Sequence, residues 1–244
     1  GHERQIHTML VKMHRSCIYL KENGCAAPDC AELFSHKVQR ERHIQGYVTD
    51  EELEKILNVI DTGTERGKRD YAIILLAATT GLRACDIIRL KLTDVDWRRG
   101  EITVVQDKTG NKVYLPILRD VGMALQDYIL HARPSISVPE LFLTSRSIRG
   151  PIVDAMAVGD MFRNYEAKAC ISRQPFDGKG FHGLRRRLAK KLLVSGTPTA
   201  TIAQILGHTE VRSTEQYLSL NTENLKECAL DFSAIPLEGG IFCE

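Results

Sequence analysis

The stretch DYAIILLAATT, residues 70–80, decides how this chain folds, because almost every side chain in it is apolar. A helix built from these residues has no face polar enough for water, so the stretch predicts a helix at the centre of a core. Gly81 follows directly, and glycine is the residue that most often ends a helix. The rest of the chain is expected to pack around this helix.

Helical and strand-forming segments flank this core helix. Thr49 and Glu52 form the T-x-x-E pattern of a capping box, which predicts that a domain begins there. The expected fold class is mainly α with a small antiparallel β-hairpin or sheet, that is, α+β. The two strands of the hairpin are predicted over 101–106 and 112–117, with a turn over 107–111. Further helices are predicted over 119–132, 154–170, 182–195, 199–206 and 213–220.

Four segments are expected along the chain. Apolar residues recur at helical spacing from Ile6 to Leu20, and one amphipathic helix cannot bury its apolar stripe alone. Residues 1–35 are therefore expected to be the C-terminal part of a helical domain. Residues 36–46, HKVQRERHIQG, are polar and basic and predict a linker. Residues 47–230 are expected to form the main domain, and residues 231–244 a tail that either packs on a neighbouring molecule or is disordered.

Composition excludes several classes of protein. The 244 residues are 43% apolar, enough for a sizeable core, but no apolar run approaches the roughly 20 residues that a membrane helix needs. The N-terminus lacks the pattern of a secretory signal, so a cytoplasmic location is expected by default. Seven scattered cysteines without a C-x-x-C pair predict neither a disulfide framework nor a metal site.

Charge is distributed more unevenly than the net value of +2 indicates. Residues 179–191 contain six lysines or arginines and no acid, whereas residues 209–244 contain seven acids against Arg212 and Lys226. The basic segment is a candidate to face phosphates.

The segment HGLRRRLAKKLLV, residues 182–194, predicts a buried charge. At 100° per residue its leucines form one apolar arc, and Arg185 and His182 fall within that arc. Because arginine is rarely buried without a partner, either a carboxylate of the protein or an external anion should meet Arg185. For one such arginine seen alone, a structural ion pair is the commoner explanation. The opposite arc, predicted to face solvent or phosphates, holds Arg186, Arg187, Lys190 and Lys191.

Four other side chains indicate little about function when each is considered alone. Arg83 follows the core helix, and the simplest interpretation is a surface pair with Asp86. Lys108 at the hairpin tip would ordinarily be solvated. His208 follows a short helix closed by Gly207, where it would ordinarily bond to backbone, and Tyr217 alone would be a packing residue.

Together, however, these segments resemble the successive signature motifs of the tyrosine recombinases, also called phage integrases. The motifs are TTGLRACDIIRL (79–90), QDKTGN (106–111), HGLRRRLA (182–189) and ILGHTEVRSTEQY (205–217). The similarity runs from about residue 47 to about residue 230, and the joint match is far more specific than any single motif. Asp86 stands where many members have glutamate, and Arg186 where many have histidine or another residue.

The resemblance implies the tyrosine recombinase catalytic fold and a metal-independent, cofactor-free breakage and rejoining of DNA. Residues 1–35 would then end the family's core-binding domain. The implied catalytic residues are Tyr217, Arg83, Lys108, His182, Arg185 and His208. We expect further DNA contacts from Lys179, Arg186, Arg187, Lys190 and Thr109.

In this chemistry each implied residue has a role. Tyr217 would attack phosphorus to give a 3′-phosphotyrosine, which a 5′-hydroxyl can reverse without ATP. The arginines would hold the phosphate, Lys108 would protonate the leaving oxygen, and the histidines would assist the tyrosine proton and bind the phosphate.

The resemblance also implies partners, and it leaves alternatives open. A specific recombination site in double-stranded DNA and a synaptic tetramer of this chain are expected, on the nucleoid in the cytoplasm and without a membrane. A phage or transposable element is the expected source, and integration, transposition and chromosome resolution all stay open as its task. The alternatives are a type IB topoisomerase-like enzyme, a catalytically silent DNA-binding relative and a histidine-dependent phosphoesterase.

Overall fold

The computed structural model describes residues 2–25, 46–105, 110, 112–145, 149–174 and 177–207. It divides the chain into two compact units, residues 1–43 and 44–244. In the first unit, helix α1 (His2–Glu22) confirms the helix predicted from the spacing of Ile6 to Leu20. It ends in a turn where Gly24 has a φ of 69°, and Cys25 donates a backbone hydrogen bond to Leu20.

The second unit is mostly helical with one small sheet, which confirms the predicted fold class. A short 3₁₀ turn covers Leu92–Asp94. The helices are α2 (Asp50–Asn58), α3 (Glu65–Thr80), α4 (Ala84–Ile88), α5 (Arg119–His131), α6 (Ala155–Lys168), α7 (Phe181–Val194) and α8 (Thr199–Leu206). The strands are β1 (Val95–Asp96), β2 (Glu101–Val105) and β3 (Lys112–Pro116).

Helix α3 lies at the centre of the core, as its sequence predicts. It begins earlier than the apolar stretch, because the Thr64 side chain caps the backbone N–H of Gly67. Ile73, Ile74 and Leu76 are fully or almost fully buried, and α3 packs against both α5 and α7. Gly81 ends the helix with a φ of 65°, the left-handed conformation that glycine adopts without strain.

The entry to the unit also follows the sequence. Thr49 is the N-cap of α2, its hydroxyl accepts from the backbone N–H of Glu52, and the Glu52 carboxylate accepts from the backbone N–H of Thr49. This is the predicted capping box. Of the predicted linker only Gly46 is among the described residues; the helix predicted over 213–220 and the tail lie outside them.

The sheet is antiparallel in the order β1, β2, β3. In the register of β2 and β3, Ile102 lies opposite Leu115 and Val104 opposite Val113. Ile102 and Val104 are both 1% exposed, so one face of the sheet covers the core. Strand β1, which adds a third strand to the predicted hairpin, pairs Val95 with Ile102.

Helix α7 joins the main core to a second apolar cluster. Its Leu184 belongs to the main core, whereas Ala189 and Leu193 pack with Ile202 and Leu206 of α8. Helix α7 is therefore held by a different apolar cluster in each half of its length. Among the described residues, no helix is both long and apolar enough to cross a membrane.

Candidate active site

Arg83 occupies the turn between the core helix and α4, where it is the N-cap residue of α4. Its Nη1 lies 3.8 Å from Oδ2 of Asp86, so the predicted pair forms. The pair is not a surface pair, however, because the Asp86 side chain is 0% exposed and that of Arg83 is 19% exposed. The surface interpretation was wrong because α4 packs against both α3 and α6, and Asp86 is buried in the fold.

Arg185 is 2% exposed, which confirms that it points to the core side of α7. Its Nη1 donates to the carbonyl oxygen of Gly81 at 2.8 Å, and its Nη2 donates to that of Leu206 at 2.5 Å. Both carbonyls lie at C-terminal helix ends, where the helix dipole is negative and stabilises a cation. Two helix ends thus hold Arg185, in addition to the charge of the buried Asp86 carboxylate.

Asp86 interacts electrostatically with both arginines. Burial raises the pKa of its carboxyl group, while the positive charges of Arg83 and Arg185 act to lower that pKa. Arg83 and Arg185, far apart in sequence, therefore act on one buried carboxylate.

A cleft of about 470 Å³ lies beside this arrangement. Arg83 and His182 both line it, together with Arg173, Asp177, Gly180 and Arg186. Gly180 and Phe181 also line it, so the positive N-terminal end of α7 reaches the cleft. Arg185 is not among the lining residues. Three arginines and one aspartate line the cleft, and Asp86 and Glu166 pair with two of these arginines. Guanidinium groups suit an anion such as a phosphate.

His182 is exposed, which corrects the prediction that it faces the core. The predicted apolar arc is correct further along α7, because Ala189 and Leu193 are buried. In the first turn of α7, the same side of the helix faces the cleft instead of the second apolar cluster.

The basic arc of α7 only partly faces outward. Arg186 is 8% exposed, so the prediction that it lies on an outward arc was wrong. Its Nε donates to the carbonyl of Gly46 at 2.8 Å, and its Nη2 donates to the carbonyl of Gly178. The chain before α2 and the loop before α7 cover this part of the helix, which a helical wheel cannot reveal.

The other predicted basic contacts already have partners on the protein. Arg187 pairs with Asp50 at 2.5 Å, and Lys179 pairs with Glu52 at 2.7 Å. The Lys190 ammonium lies 4.5 Å from the centre of the Tyr47 ring. These contacts are at least partly exposed, and their role in DNA binding stays a prediction.

A cluster of three charged side chains that the sequence did not reveal, Arg173, Glu166 and Asp177, lies at the cleft. Arg173 donates to Glu166 at 2.9 Å and to Asp177 at 3.0 Å. Burial raises the pKa of Glu166 to about 7, although the charge of Arg173 opposes the rise. Burial acts to raise the pKa of Asp177, but hydrogen bonds from Arg173 and from the backbone of Lys179 hold that pKa below its usual value. Nothing in the sequence spacing indicated this group.

Four of the predicted site residues, Lys108, Thr109, His208 and Tyr217, lie outside the described residues. Beside Lys108, Gly110 has a φ of 67°, which fits the predicted turn.

The family model described as the phage integrase family matches residues 46–224 of this chain. The chain belongs to the phage integrase family. Among curated members, it is 36% identical over 168 residues to a protein that carries the name integrase/recombinase y4gC, from Sinorhizobium fredii; the match covers 69% of this chain and 85% of that protein. The chain spans only 42% and 43% of the length of two further curated relatives.

Solved structures of integrase-family proteins share its fold. The crystal structure of XerA recombinase superposes with a TM-score of 0.63 and 25% identity, covering 91% of this chain and 74% of that chain. A lambda integrase dimer bound to a COC′ core site superposes with a TM-score of 0.65 and 20% identity, covering 87% of this chain and 57% of that chain.

Proposed function

We propose that this phage integrase family chain cleaves and rejoins DNA strands at a specific site through a 3′-phosphotyrosine intermediate. The observation that carries the proposal is the meeting of Arg83 and Arg185 around buried Asp86, beside a basic cleft that His182 also lines. The cleft contains arginines of fixed positive charge and no excess of carboxylates. Such a cleft suits a phosphodiester better than it suits a metal ion.

The chemistry balances without a cofactor. The Tyr217 oxygen attacks phosphorus, the bond from phosphorus to the 5′ oxygen breaks, and Lys108 gives its proton to that oxygen. The tyrosine proton passes to His182. In rejoining, a 5′-hydroxyl attacks the phosphotyrosine and Tyr217 leaves, so the energy of the phosphodiester bond is kept.

Arg83 and Arg185 would stabilise the charge that develops on the non-bridging oxygens. Arginine keeps its charge at any working pH, and here both side chains are held before substrate arrives, which is the condition for efficient electrostatic stabilisation. His208 would add a hydrogen bond to the phosphate. Lys179, Arg187, Lys190 and Thr109 would contact the DNA backbone.

We further propose that the chain acts as a tetramer on two DNA sites, on the nucleoid in the cytoplasm, and that a phage or transposable element carries it. Residues 1–35 would end a domain that grips the DNA, residues 36–46 would link it to a catalytic domain over 47–230, and the tail over 231–244 would pack on a neighbouring protomer.

Trapping the covalent complex in cells tests the proposal and identifies the target. DNA should be recovered attached to the protein, and sequencing it should return one recurrent site. Relaxation of supercoils without strand exchange would favour the topoisomerase alternative. Binding without any attached DNA would favour a silent relative, and cleavage that survives loss of Tyr217 would favour a phosphoesterase.

A further inference from the structure

We infer that Arg186 is a positioning residue of the proposed active site: it fastens residues 46–48 to the loop that leads into α7, and so fixes His182 at the cleft. This inference rests on the proposed strand-cleaving function and assigns Arg186 a role other than binding phosphate.

Arg186 uses its forked guanidinium to join two segments of backbone. Nε donates to the carbonyl of Gly46 at 2.8 Å, and Nη2 donates to the carbonyl of Gly178. We call residues 46–48 the strap and residues 177–180 the approach loop. A lysine carries the same charge but presents one compact ammonium group, which cannot reproduce a planar fork between two carbonyls.

The strap and the approach loop also contact each other directly. The backbone N–H of Gly46 donates to the carbonyl of Asp177 at 2.9 Å. The strap also contacts the first turn of α7, where the backbone N–H of Val48 donates to the carbonyl of Gly183 at 3.4 Å. The packing is tight, because a Cβ at Gly46 would lie 2.8 Å from the Asp177 carbonyl oxygen and one at Gly183 would lie 3.0 Å from the Val48 side chain. Val48 itself is 1% exposed.

This clamp lies directly beside the candidate catalytic histidine. Arg186 follows His182 by one helical turn, so both side chains lie on the same face of α7, and both line the cleft. The Arg173 to Asp177 hydrogen bond braces the approach loop from its other side. Loss of the clamp should therefore let the first turn of α7 shift, and a shift of about 1 Å in a catalytic group can cost about a hundredfold in rate.

Arg186 is 8% exposed, and its Nε and Nη2 already donate to two backbone carbonyls. A phosphate contact would contribute about 0.9 to the slope of log K against log salt, whereas a buried clamp contributes nothing to that slope. The two roles therefore predict different measurements.

The test compares Arg186→Lys with wild type on a nicked duplex that carries the sequence recovered by covalent trapping. At saturating DNA, we expect single-turnover cleavage by Arg186→Lys to fall about ten- to a hundredfold. Arg186→Gln, which removes the charge, should show the same loss of cleavage with an unchanged salt slope. Wild-type cleavage by Arg186→Lys, or a slope reduced by about 1 in Arg186→Gln, would overturn the inference. Arg163→Ala, which removes one exposed positive charge from α6, is the charge control.

A second variant disturbs the clamp without touching the arginine. Gly46→Ala places a methyl group against the Asp177 carbonyl and should reproduce the cleavage defect with an unchanged salt slope; normal cleavage would contradict the inference. Hydrogen exchange at the Val48 amide reports on the clamp without any activity, and it should quicken in Arg186→Lys and Gly46→Ala. If the wild-type protein cleaves no DNA, the proposed function is wrong. The clamp is wrong if hydrogen exchange at the Val48 amide is the same in both variants as in wild type.

Discussion

The Arg185 guanidinium donates to the carbonyl oxygen of Gly81 at 2.8 Å, which ties α7 to the point where the core helix ends. Arg83 follows Gly81 by two residues, so the same turn holds both arginines of the proposed site. The second hydrogen bond of Arg185, to Leu206, extends this tie to the end of α8. The most buried part of the fold therefore sets the position of the catalytic charges.

Replacing Arg185 should damage both stability and cleavage. Arg185→Ala leaves two buried carbonyls without their donor, so the free energy of unfolding should fall by about 2–4 kcal/mol, and cleavage should fall at least about a hundredfold. Arg185→Lys keeps the charge but cannot span both carbonyls, so it should recover only part of either loss. Urea unfolding and single-turnover cleavage measure the two effects, and full recovery by lysine would contradict the role of the fork.

Gly81→Ala should destabilise the fold for two separable reasons. A Cβ there must adopt a left-handed φ of 65°, and it would lie 2.9 Å from Leu206 and 3.0 Å from Leu188. We expect the free energy of unfolding to fall by about 2 kcal/mol or more. Gly196→Ala is the matched control, because its φ is 77° but nothing lies within 4 Å of the new methyl group. Equal losses in the two variants would mean that packing at Gly81 contributes nothing.

Glu166 should make stability depend on pH. Its folded-state pKa of about 7 lies above the ordinary value of 4.5, so the folded chain binds this proton more tightly than the unfolded chain. The stability that the protonated group contributes is therefore present below about pH 4.5 and is lost as pH rises toward 7. Glu166→Gln does not titrate, so wild type should lose on the order of 1–3 kcal/mol relative to this variant between pH 5 and pH 7.5.

The comparison requires urea unfolding of both proteins across that pH range. The difference between wild type and Glu166→Gln isolates this carboxyl group from the others that titrate. A difference that is constant with pH, or that favours wild type as pH rises, would mean that the ion pair with Arg173 outweighs burial.

Arg187→Ala should weaken DNA binding without slowing cleavage at saturating DNA. Its pair with Asp50 is partly exposed, with the Arg187 side chain 15% and the Asp50 side chain 68% exposed, so a phosphate can replace the carboxylate. The slope of log K against log salt should lose about 1, as expected for one phosphate contact. Asp50→Asn, which frees Arg187 from its partner, should bind DNA at least as tightly as wild type. An unchanged slope in Arg187→Ala would remove this residue from the DNA interface.

Much of the architecture followed from local sequence rules. The apolar stretch 70–80, the capping box at Thr49 and the helix-ending Gly81 each depend on neighbouring residues alone, so periodicity and cap chemistry were sufficient. Strand β1 is only two residues long and α4 only five, too short for a periodic signal. Both elements are formed by their tertiary partners.

The sequence predicted which residues form the site better than it predicted where their side chains point. The helical arc correctly placed Arg185 inside, because a leucine core covers that face. It misplaced Arg186 and His182, because what covers a helix depends on segments distant in sequence, here the chain near Gly46 and the open cleft. The cluster of Arg173, Glu166 and Asp177 brings together a helix and a loop, and no spacing rule connects them.

Covalent capture on a nicked suicide duplex built on the trapped sequence tests the central claim most directly. Wild type should accumulate a protein–DNA adduct joined through a 3′ phosphate, and peptide mapping should place the link on Tyr217. Tyr217→Phe should bind the same duplex with equal affinity and form no adduct. An adduct that persists in Tyr217→Phe, or one that maps to another residue, would contradict the account.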